Sequence, residues 1–205
     1  MDERLLRLPF EFDENDKLGS WDVLLSEDAI KDMRQLESAS VINAVIKELV
    51  HISSGAWDKH GLRDVQSDAA PVYEVKLFDN LTILWQVDCG FSVRSNRFMQ
   101  LVKIWAVTAN QEQVNKKSEN ISMVYQFCNA AHMHRCTVQQ AGNRGIILPK
   151  VFDDEEEMVT KYTSEVNMDE EKLLEVHKML ITNKFTPLSK VNVQKIYFII
   201  HYTIA

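Results

Sequence analysis

A chain of 205 residues, 45% of them hydrophobic, has enough apolar material to bury one core of ordinary domain size. Its formal net charge of −7 argues against broad, non-specific nucleic-acid binding, which needs a positive surface facing the phosphates. Three cysteines do not predict a disulfide framework, and no segment has the run of about 20 apolar residues that crosses a bilayer. We therefore expect an intracellular protein of the cytoplasm or nucleus, with no membrane association.

The negative charge is concentrated in one stretch. Residues 153–175 carry ten acidic side chains against two lysines, a local net charge of −8. Residues 26–108, by contrast, carry eleven acidic and nine basic side chains, so this part of the chain is only mildly negative. We interpret the acidic stretch as a solvated linker, because it contains no recognisable partner motif.

The first elements are predicted from apolar spacing and from their terminal residues. Residues 20–25 are expected to form a short strand. Ser26 has the residue type of a helix N-cap, since its hydroxyl can accept a hydrogen bond from an unpaired amide of the first turn. Apolar residues at spacings of three and four predict a helix over 29–36 and a second helix over about 40–53, which Gly55 ends.

Three strands are predicted after a loop that spans residues 56–70. They cover residues 72–78, 81–88 and 98–107. Asp79 and Asn80 predict a two-residue hairpin turn between the first two, because both residue types tolerate a positive φ. Trp57 in the loop is expected to pack against the core. Trp85 and Trp105 in the strands are interpreted as core packing and not as a platform for stacking bases.

The second half of the chain is predicted to be mainly helical. A single third helix is expected over 111–135, followed by a turn, a short strand, another helix and an irregular tail at 142–145, 146–148, 168–182 and 191–205. The predicted class is α+β: a small antiparallel sheet with an N-terminal two-helix hairpin on one face, and a helical, partly disordered C-terminal extension. The predicted divisions are a flexible lead-in at 1–19, a domain at 20–135 and the extension at 136–205.

One cluster has the residue types of a metal site. Cys128, His132 and Cys136 would share one helix face, while His134 would point away. These four residues could hold zinc tetrahedrally if the helix broke near residues 130–131. We favour the simpler interpretation, a helix end with incidental histidines and a semi-buried cysteine, since structural zinc sites usually pair closely spaced ligands from two turns. No metal or other cofactor is therefore predicted.

The order strand, helix, helix, strand, strand, strand resembles the RelE/ParE toxin superfamily over residues 20–127. The resemblance is carried by VYEVKL, ILWQVD and LVKIWAV, at residues 72–77, 83–88 and 101–107. More narrowly, residues 21–36 and 100–111 are similar to a segment of large fungal proteins, akin to the TPR-and-ankyrin-repeat group, that carry a UvrD-like helicase further along. This likeness extends through Leu188 and implies a truncated fragment of such a protein.

The resemblance also indicates where an RNA-cleaving site would lie. Toxins of this family cleave RNA without a metal, using Lys and Arg on the sheet and a Tyr or His near the last helix. Two lysine positions of the family read Glu74 and Lys76 here, and Thr82 stands where the next strand opens with Arg. The residual catalytic candidates are Lys76, Lys103 and Arg97. Loss of one such group typically costs about 10²- to 10³-fold in rate, so these replacements favour a protein that is not an enzyme.

We therefore expect a non-catalytic interaction module that binds a protein partner through a helix-in-groove surface. No helicase motor lies in this chain, because the nearest glycine pair, Gly142 and Gly145, lacks the spacing and the lysine of a P-loop. The alternative is a residual ribosome-dependent mRNA endoribonuclease, and only then would nucleic acid or the ribosome be a partner. A gene remnant without a selected role is a third reading.

Overall fold

The computed structural model describes residues 18–57, 63–64, 71–126, 128–152 and 184–190. In chain order its strands and helices are β1 (Val23–Ser26), α1 (Glu27–Arg34), α2 (Ala39–Ser54), β2 (Arg63–Asp64), β3 (Val72–Lys76), β4 (Thr82–Ser92), β5 (Arg97–Thr108), α3 (Gln111–Tyr125), α4 (Ala130–Thr137), β6 (Gln140–Ala141), β7 (Ile147–Leu148) and β8 (Phe185–Pro187). The α+β class expected from the sequence is confirmed.

Within these ranges, six strands form one sheet in the order β2-β3-β4-β5-β1-β8. The strands β2 to β5 follow one another as an antiparallel meander. β1 pairs in parallel with β5 and antiparallel with β8. The predicted antiparallel arrangement is present in every pair of this sheet except β1 with β5, which run in the same direction. The strands β6 and β7 form a separate short hairpin.

Local signals set the bounds of the first two helices. The Ser26 hydroxyl accepts a hydrogen bond from the amide of Ala29 at 3.0 Å, which confirms the predicted cap of α1. α2 ends at Gly55, whose φ of 78° lies in the left-handed region, as predicted. Together the two helices cover one face of the sheet. The main buried side chains of this layer are Trp21, Leu25, Met33, Val45, Leu49, Ile52, Trp57, Ile83, Trp85, Val102 and Ile104.

The opposite face of the sheet is covered by α3 and α4. Its buried side chains are Val72, Leu84, Ala106, Val114, Ile121, Tyr125, Cys128 and Cys136. A β-bulge in β5 leaves Trp105 between the pairs Leu84–Ala106 and Trp85–Ile104, so that Trp105 packs on this face beside Ala106. Trp57 and Trp85 are buried in the first layer and Trp105 packs in the second, so all three have the packing roles predicted for them.

The predicted single helix over 111–135 is wrong. α3 ends at Tyr125 and a new helix begins after Asn129, whose side-chain oxygen accepts a hydrogen bond from the amide of His132 at 2.7 Å. An asparagine cap of this kind satisfies an amide that has no partner within the helix, and so fixes where α4 begins.

Other turns differ in detail from the expectations. A 3₁₀ turn over Phe78–Asn80 replaces the predicted two-residue hairpin, although Asn80 does adopt a positive φ of 59°. The predicted turn at 142–145 is present as a 3₁₀ turn over Asn143–Gly145, and β7 follows it. The predicted helix at 168–182, the acidic stretch and the tail at 191–205 lie outside the described residues. Among the helices that are described, none has the length and apolar character needed to cross a membrane.

Candidate functional site

Polar side chains of β4, β5 and α4 meet between the sheet and its second helical layer. Side chains alternate along a strand, so Ile83, Trp85 and Val87 of β4 face α1 and α2. Leu84, Gln86 and Asp88 consequently face α3 and α4. We call Asp88, Cys89, Lys103, His132 and Cys136 the polar cluster.

Asp88 lies at the centre of the polar cluster and is only 1% exposed. One carboxylate oxygen, Oδ2, accepts from the Lys103 ammonium at 2.5 Å. The other, Oδ1, accepts from the Cys89 amide at 2.8 Å and lies 3.0 Å from His132 Nε2. A carboxylate removed from water needs such partners, because an unpaired buried charge costs several kcal/mol.

Two residues of α4 complete the polar cluster. His132 and Cys136 are four positions apart and therefore share one face of the helix. The Cys136 sulfur lies 3.4 Å from His132 Nε2, 3.8 Å from Asp88 Oδ1 and 3.8 Å from the Cys89 sulfur. The atoms that Asp88, His132 and Cys136 offer as metal ligands all lie within 4.8 Å of one another, and all three residues are buried.

The surroundings shift the ionisation of both α4 residues. Burial opposes a charge on His132, but hydrogen bonds to Asp88 and Cys136 outweigh it and raise the pKa of the imidazole to about 9. The hydrogen bond to Cys89, followed by burial, raises the pKa of the Cys136 thiol far above its ordinary value. A buried thiol that stays protonated is a poor nucleophile, so the trio of Asp88, His132 and Cys136 does not work as a nucleophilic triad.

A second set of hydrogen bonds holds the walls of the polar cluster in place. Gln86 donates to the Tyr125 hydroxyl at 2.5 Å and accepts from the Trp105 indole at 2.8 Å. The Tyr125 hydroxyl in turn donates to the Val87 carbonyl at 3.3 Å. Gln100 of β5 donates to the carbonyls of Arg135 and Val138, at 2.6 and 2.8 Å. These bonds fix the end of α3 and the last turn of α4 against the sheet.

The three residual catalytic candidates lie in separate places. Lys103 belongs to the polar cluster. Lys76 is exposed at the end of β3, with its ammonium 4.0 Å from the Glu74 carboxylate. In the strand register Lys76 and Thr108 both lie opposite Thr82, whereas Arg97 begins β5 at its other end. Because a strand rises about 3.3 Å per residue, Arg97 is on the order of 35 Å from the row of Lys76.

Only part of the predicted metal cluster comes together. His132 and Cys136 converge, but His134 is exposed, as expected from the helical wheel. Cys128 is buried, and its sulfur lies 3.8 Å from the Val124 carbonyl. Sequence reasoning missed Asp88 and Cys89 as partners. The sequence feature that could have indicated this site is the polar pair Gln86 and Asp88, on a strand face where apolar residues would otherwise be expected.

Comparison with known proteins gives no further guide. No protein-family model matches the chain, and neither a curated protein nor a solved structure matches it. The RelE/ParE resemblance therefore stays a prediction from sequence motifs, and the function is inferred from the geometry of the described residues.

Proposed function

We propose that this chain is a non-catalytic protein-interaction module of RelE/ParE-like type, originating from a longer UvrD-like helicase-type protein. The motifs over residues 20–127 support the family, and the narrower likeness supports the larger protein. One observation carries the non-catalytic part of the proposal. The buried Asp88 carboxylate holds the positive side chains of Lys103 and His132 inside the protein.

An RNA-cleaving site would need those cations where a phosphate can reach them. Stabilising a charged phosphorane requires preorganised donors at the reacting group. Lys103 is instead 20% exposed in its side chain and donates into the interior. Moving its ammonium towards an RNA phosphate would leave Asp88 with one cationic partner fewer, which costs about 2–3 kcal/mol because His132 remains. The ion pair is therefore better explained as part of the scaffold than as part of a catalytic surface.

The remaining cationic candidates do not replace Lys103. Lys76 is exposed, but Glu74 on the same strand opposes its charge. Arg97 lies at the far end of β5 from Lys76. The Lys76 ammonium attracts a phosphate only weakly, because it is solvated and screened while the largely buried Glu74 carboxylate places a negative charge 4.0 Å away.

A partner surface is proposed at the end of the β4–β5 hairpin. Phe91 and Val93 are 52% and 59% exposed, and Phe91 makes an edge contact with Phe98 at 6.3 Å between ring centroids. Arg94 fixes the turn by donating to the Gly19 carbonyl at 2.8 Å. A fixed turn that exposes neighbouring apolar side chains suits the apolar face of a partner helix.

The catalytic alternative is tested with translating ribosomes. Purified protein is added to a translation reaction, and the 5′ ends of the mRNA are mapped by primer extension. We expect no new ends from the wild-type chain. New ends that vanish with Lys76→Ala but persist with Lys116→Ala, an exposed lysine of α3, would replace this proposal with the endoribonuclease.

The interaction surface is tested by site-specific photocrosslinking in cells. A photoreactive amino acid is placed at Val93, and the matched control carries it at Glu112 on the exposed side of α3. We expect a defined protein adduct from position 93 that weakens when Phe91→Ser is added. Equal labelling from both positions, or labelling that ignores Phe91→Ser, contradicts the proposed surface.

A further inference from the structure

Four side chains of zinc-ligand type are gathered where α4 crosses β4. Asp88 and Cys89 are adjacent in the strand, and His132 and Cys136 are four residues apart on the helix. Thiolate, imidazole and carboxylate are the groups that bind zinc in proteins, and closed sites of four ligands are structural. We propose that Asp88, Cys89, His132 and Cys136 form a structural zinc site that ties α4 to the sheet.

The ligand atoms of Asp88, His132 and Cys136 have the mutual spacing that zinc requires, and the Cys89 sulfur lies close to one of them, that of Cys136. With Zn–S near 2.3 Å and Zn–N or Zn–O near 2.0 Å, ligand atoms should lie about 3.8 Å apart for two sulfurs, about 3.5 Å for sulfur with nitrogen or oxygen, and about 3.3 Å for nitrogen with oxygen. The observed distances from the Cys136 sulfur are 3.8 Å to Cys89, 3.4 Å to His132 and 3.8 Å to Asp88.

The His132 imidazole and the Asp88 carboxylate also have a spacing that suits zinc. His132 Nε2 and Asp88 Oδ1 are 3.0 Å apart, so four of the six distances between ligand atoms agree with the ideal to within about 0.3 Å. Cys89 is the proposed fourth ligand, and zinc binding would require its side chain to turn towards Asp88 and His132 while staying near Cys136. The contact between the Cys89 and Cys136 sulfurs is far longer than a disulfide bond of about 2.05 Å, and both cysteines are free.

Neighbouring groups orient the ligands. Lys103 holds Asp88 Oδ2, which leaves Oδ1 facing His132 and Cys136. Asn129 fixes the beginning of α4 by accepting from the His132 amide. Hydrogen bonds of this kind around a metal site set ligand orientation, and losing one typically costs about 10- to 100-fold in metal affinity.

Charge balance also favours a divalent cation at this position. Zinc binding would displace the protons of Cys89, Cys136 and His132 to solvent. The two thiolates and the Asp88 carboxylate would then carry three negative charges, which the zinc ion and the Lys103 ammonium neutralise together. A buried site without net charge avoids the large desolvation penalty of an isolated ion. This also gives Lys103, which is half-buried beside the ligands and not among them, a role that does not depend on the proposed function.

The site is tested with metal alone. Reduced wild-type chain is dialysed against zinc and then against buffer, and its metal content is measured by mass spectrometry. Cobalt is used as a spectroscopic substitute, because thiolate ligation gives an intense near-ultraviolet charge-transfer band. We expect one zinc per chain, a cobalt–thiolate band and a higher melting temperature with zinc, since a metal that binds only the folded state stabilises it.

Two cysteine substitutions identify the ligands. Cys136→Ser should weaken zinc binding by more than about 100-fold, because a ligand is lost and not merely its support. Cys89→Ser, at a partly buried position that tolerates change better, should remove part of the cobalt–thiolate band. Cys128→Ser and His134→Gln are the matched controls and should keep both. Circular dichroism confirms that each variant folds.

Two results would overturn the proposal. The first is a folded, reduced wild-type chain that takes up neither zinc nor cobalt. The second is a cobalt spectrum that survives Cys89→Ser and Cys136→Ser unchanged, which would place the metal elsewhere. Neither result bears on whether the hairpin end binds a partner, so the two proposals fail independently.

Discussion

Asp88 shows how one carboxylate organises three elements. Its partners come from β5, from α4 and from its own strand, through Lys103, His132 and the Cys89 amide. Each partner offsets part of the cost of removing a charge from water. Removing one of them should therefore weaken the attachment of an entire element and not only one contact.

The substitution Lys103→Met tests this at the residue scale. It keeps most of the side-chain volume but removes one of the cations that balance Asp88. We expect the free energy of unfolding in urea to fall by about 2–3 kcal/mol, less than for a fully orphaned charge because His132 remains. Lys31→Met is the control, since the Lys31 side chain is 64% exposed and pairs with Asp28 in water. Its effect should stay below about 1 kcal/mol, and equal losses would argue against a special role for the buried pair.

Asp32 provides a prediction about pH. Burial raises the pKa of this carboxyl, an effect that the hydrogen bond from the Val107 amide and the charge of Lys117 oppose and that Asp28 reinforces. A raised pKa contributes stability that is present below the unfolded value of 3.8 and is lost as the pH rises through the folded value. The free energy of unfolding of Asp32→Asn, measured by urea titration, should therefore rise relative to that of wild type between about pH 3 and about pH 7.

Asp28 offers a control of the opposite sign on the same helix. The hydrogen bond from Lys117 is the main cause that lowers the pKa of Asp28, with burial acting against it. Its stabilising contribution is present above the unfolded pKa and is lost as the pH falls. Asp28→Asn should therefore lower the free energy of unfolding, relative to wild type, more at neutral pH than at acid pH. Two variants with the same pH trend would show that local environment does not set these contributions.

At the scale of elements, the end of α2 and the β6–β7 hairpin are joined at Gly55. The Gly55 carbonyl accepts from the Ile147 amide at 2.9 Å, and the Trp21 indole donates to the Ile147 carbonyl at 2.7 Å. A Cβ at Gly55 would overlap that carbonyl oxygen. The glycine is thus needed for close approach as well as for its left-handed backbone.

Gly55→Ala and Gly145→Ala separate these two requirements. Both glycines have a positive φ, at 78° and 73°, but a Cβ at Gly145 would meet nothing within 4 Å. Gly145→Ala should cost only the strain of a left-handed backbone, about 1–2 kcal/mol. Gly55→Ala should cost about 1–3 kcal/mol more, because β7 must move. The measurement is the urea midpoint of each variant, and similar losses would mean that β7 yields freely.

The elements that the sequence could predict are those with local signals. Ser26 and Gly55 mark helix ends by their own chemistry, and the Gly142–Gly145 pair marks a turn. The break before α4 was missed because Val124, Tyr125 and Cys128 continue an apolar spacing that reads as one helix. β8 was missed because Phe185–Pro187 is short, contains a proline and becomes a strand only beside β1.

The candidate site was predictable only in part for a related reason. His132 and Cys136 were identified from their helical spacing, which acts over a single turn. Asp88 joins them from 44 positions earlier in the chain, and that proximity exists only once the sheet has formed. A sequence pattern within one helix or strand indicates which face of that element a residue occupies. It does not indicate which residue of another element packs against that face.

At the scale of the whole molecule, β8 covers the outer edge of β1. Phe185 also packs edge-on against Trp105 at 5.0 Å between ring centroids and lies 4.9 Å from the Lys103 ammonium. A chain ending at residue 152 should be less stable and should self-associate through the uncovered edge of β1. Sedimentation velocity checks this, with a chain ending at residue 190 as the control. Two monomeric chains with equal melting temperatures would show that β8 does not protect the edge.

The position of β1 between β5 and β8 has a consequence for biosynthesis. Val23 pairs with Val102, and Leu24 pairs with Pro187, so β1 is bordered by strands made 79 and 163 positions later. During synthesis β1 therefore has neither of these neighbours until at least 79 further residues have been added. Distant pairings of this kind are slow to form and leave apolar surface uncovered meanwhile. When chaperones are limiting, we therefore expect newly made chains of this protein to aggregate into inclusion bodies before they fold.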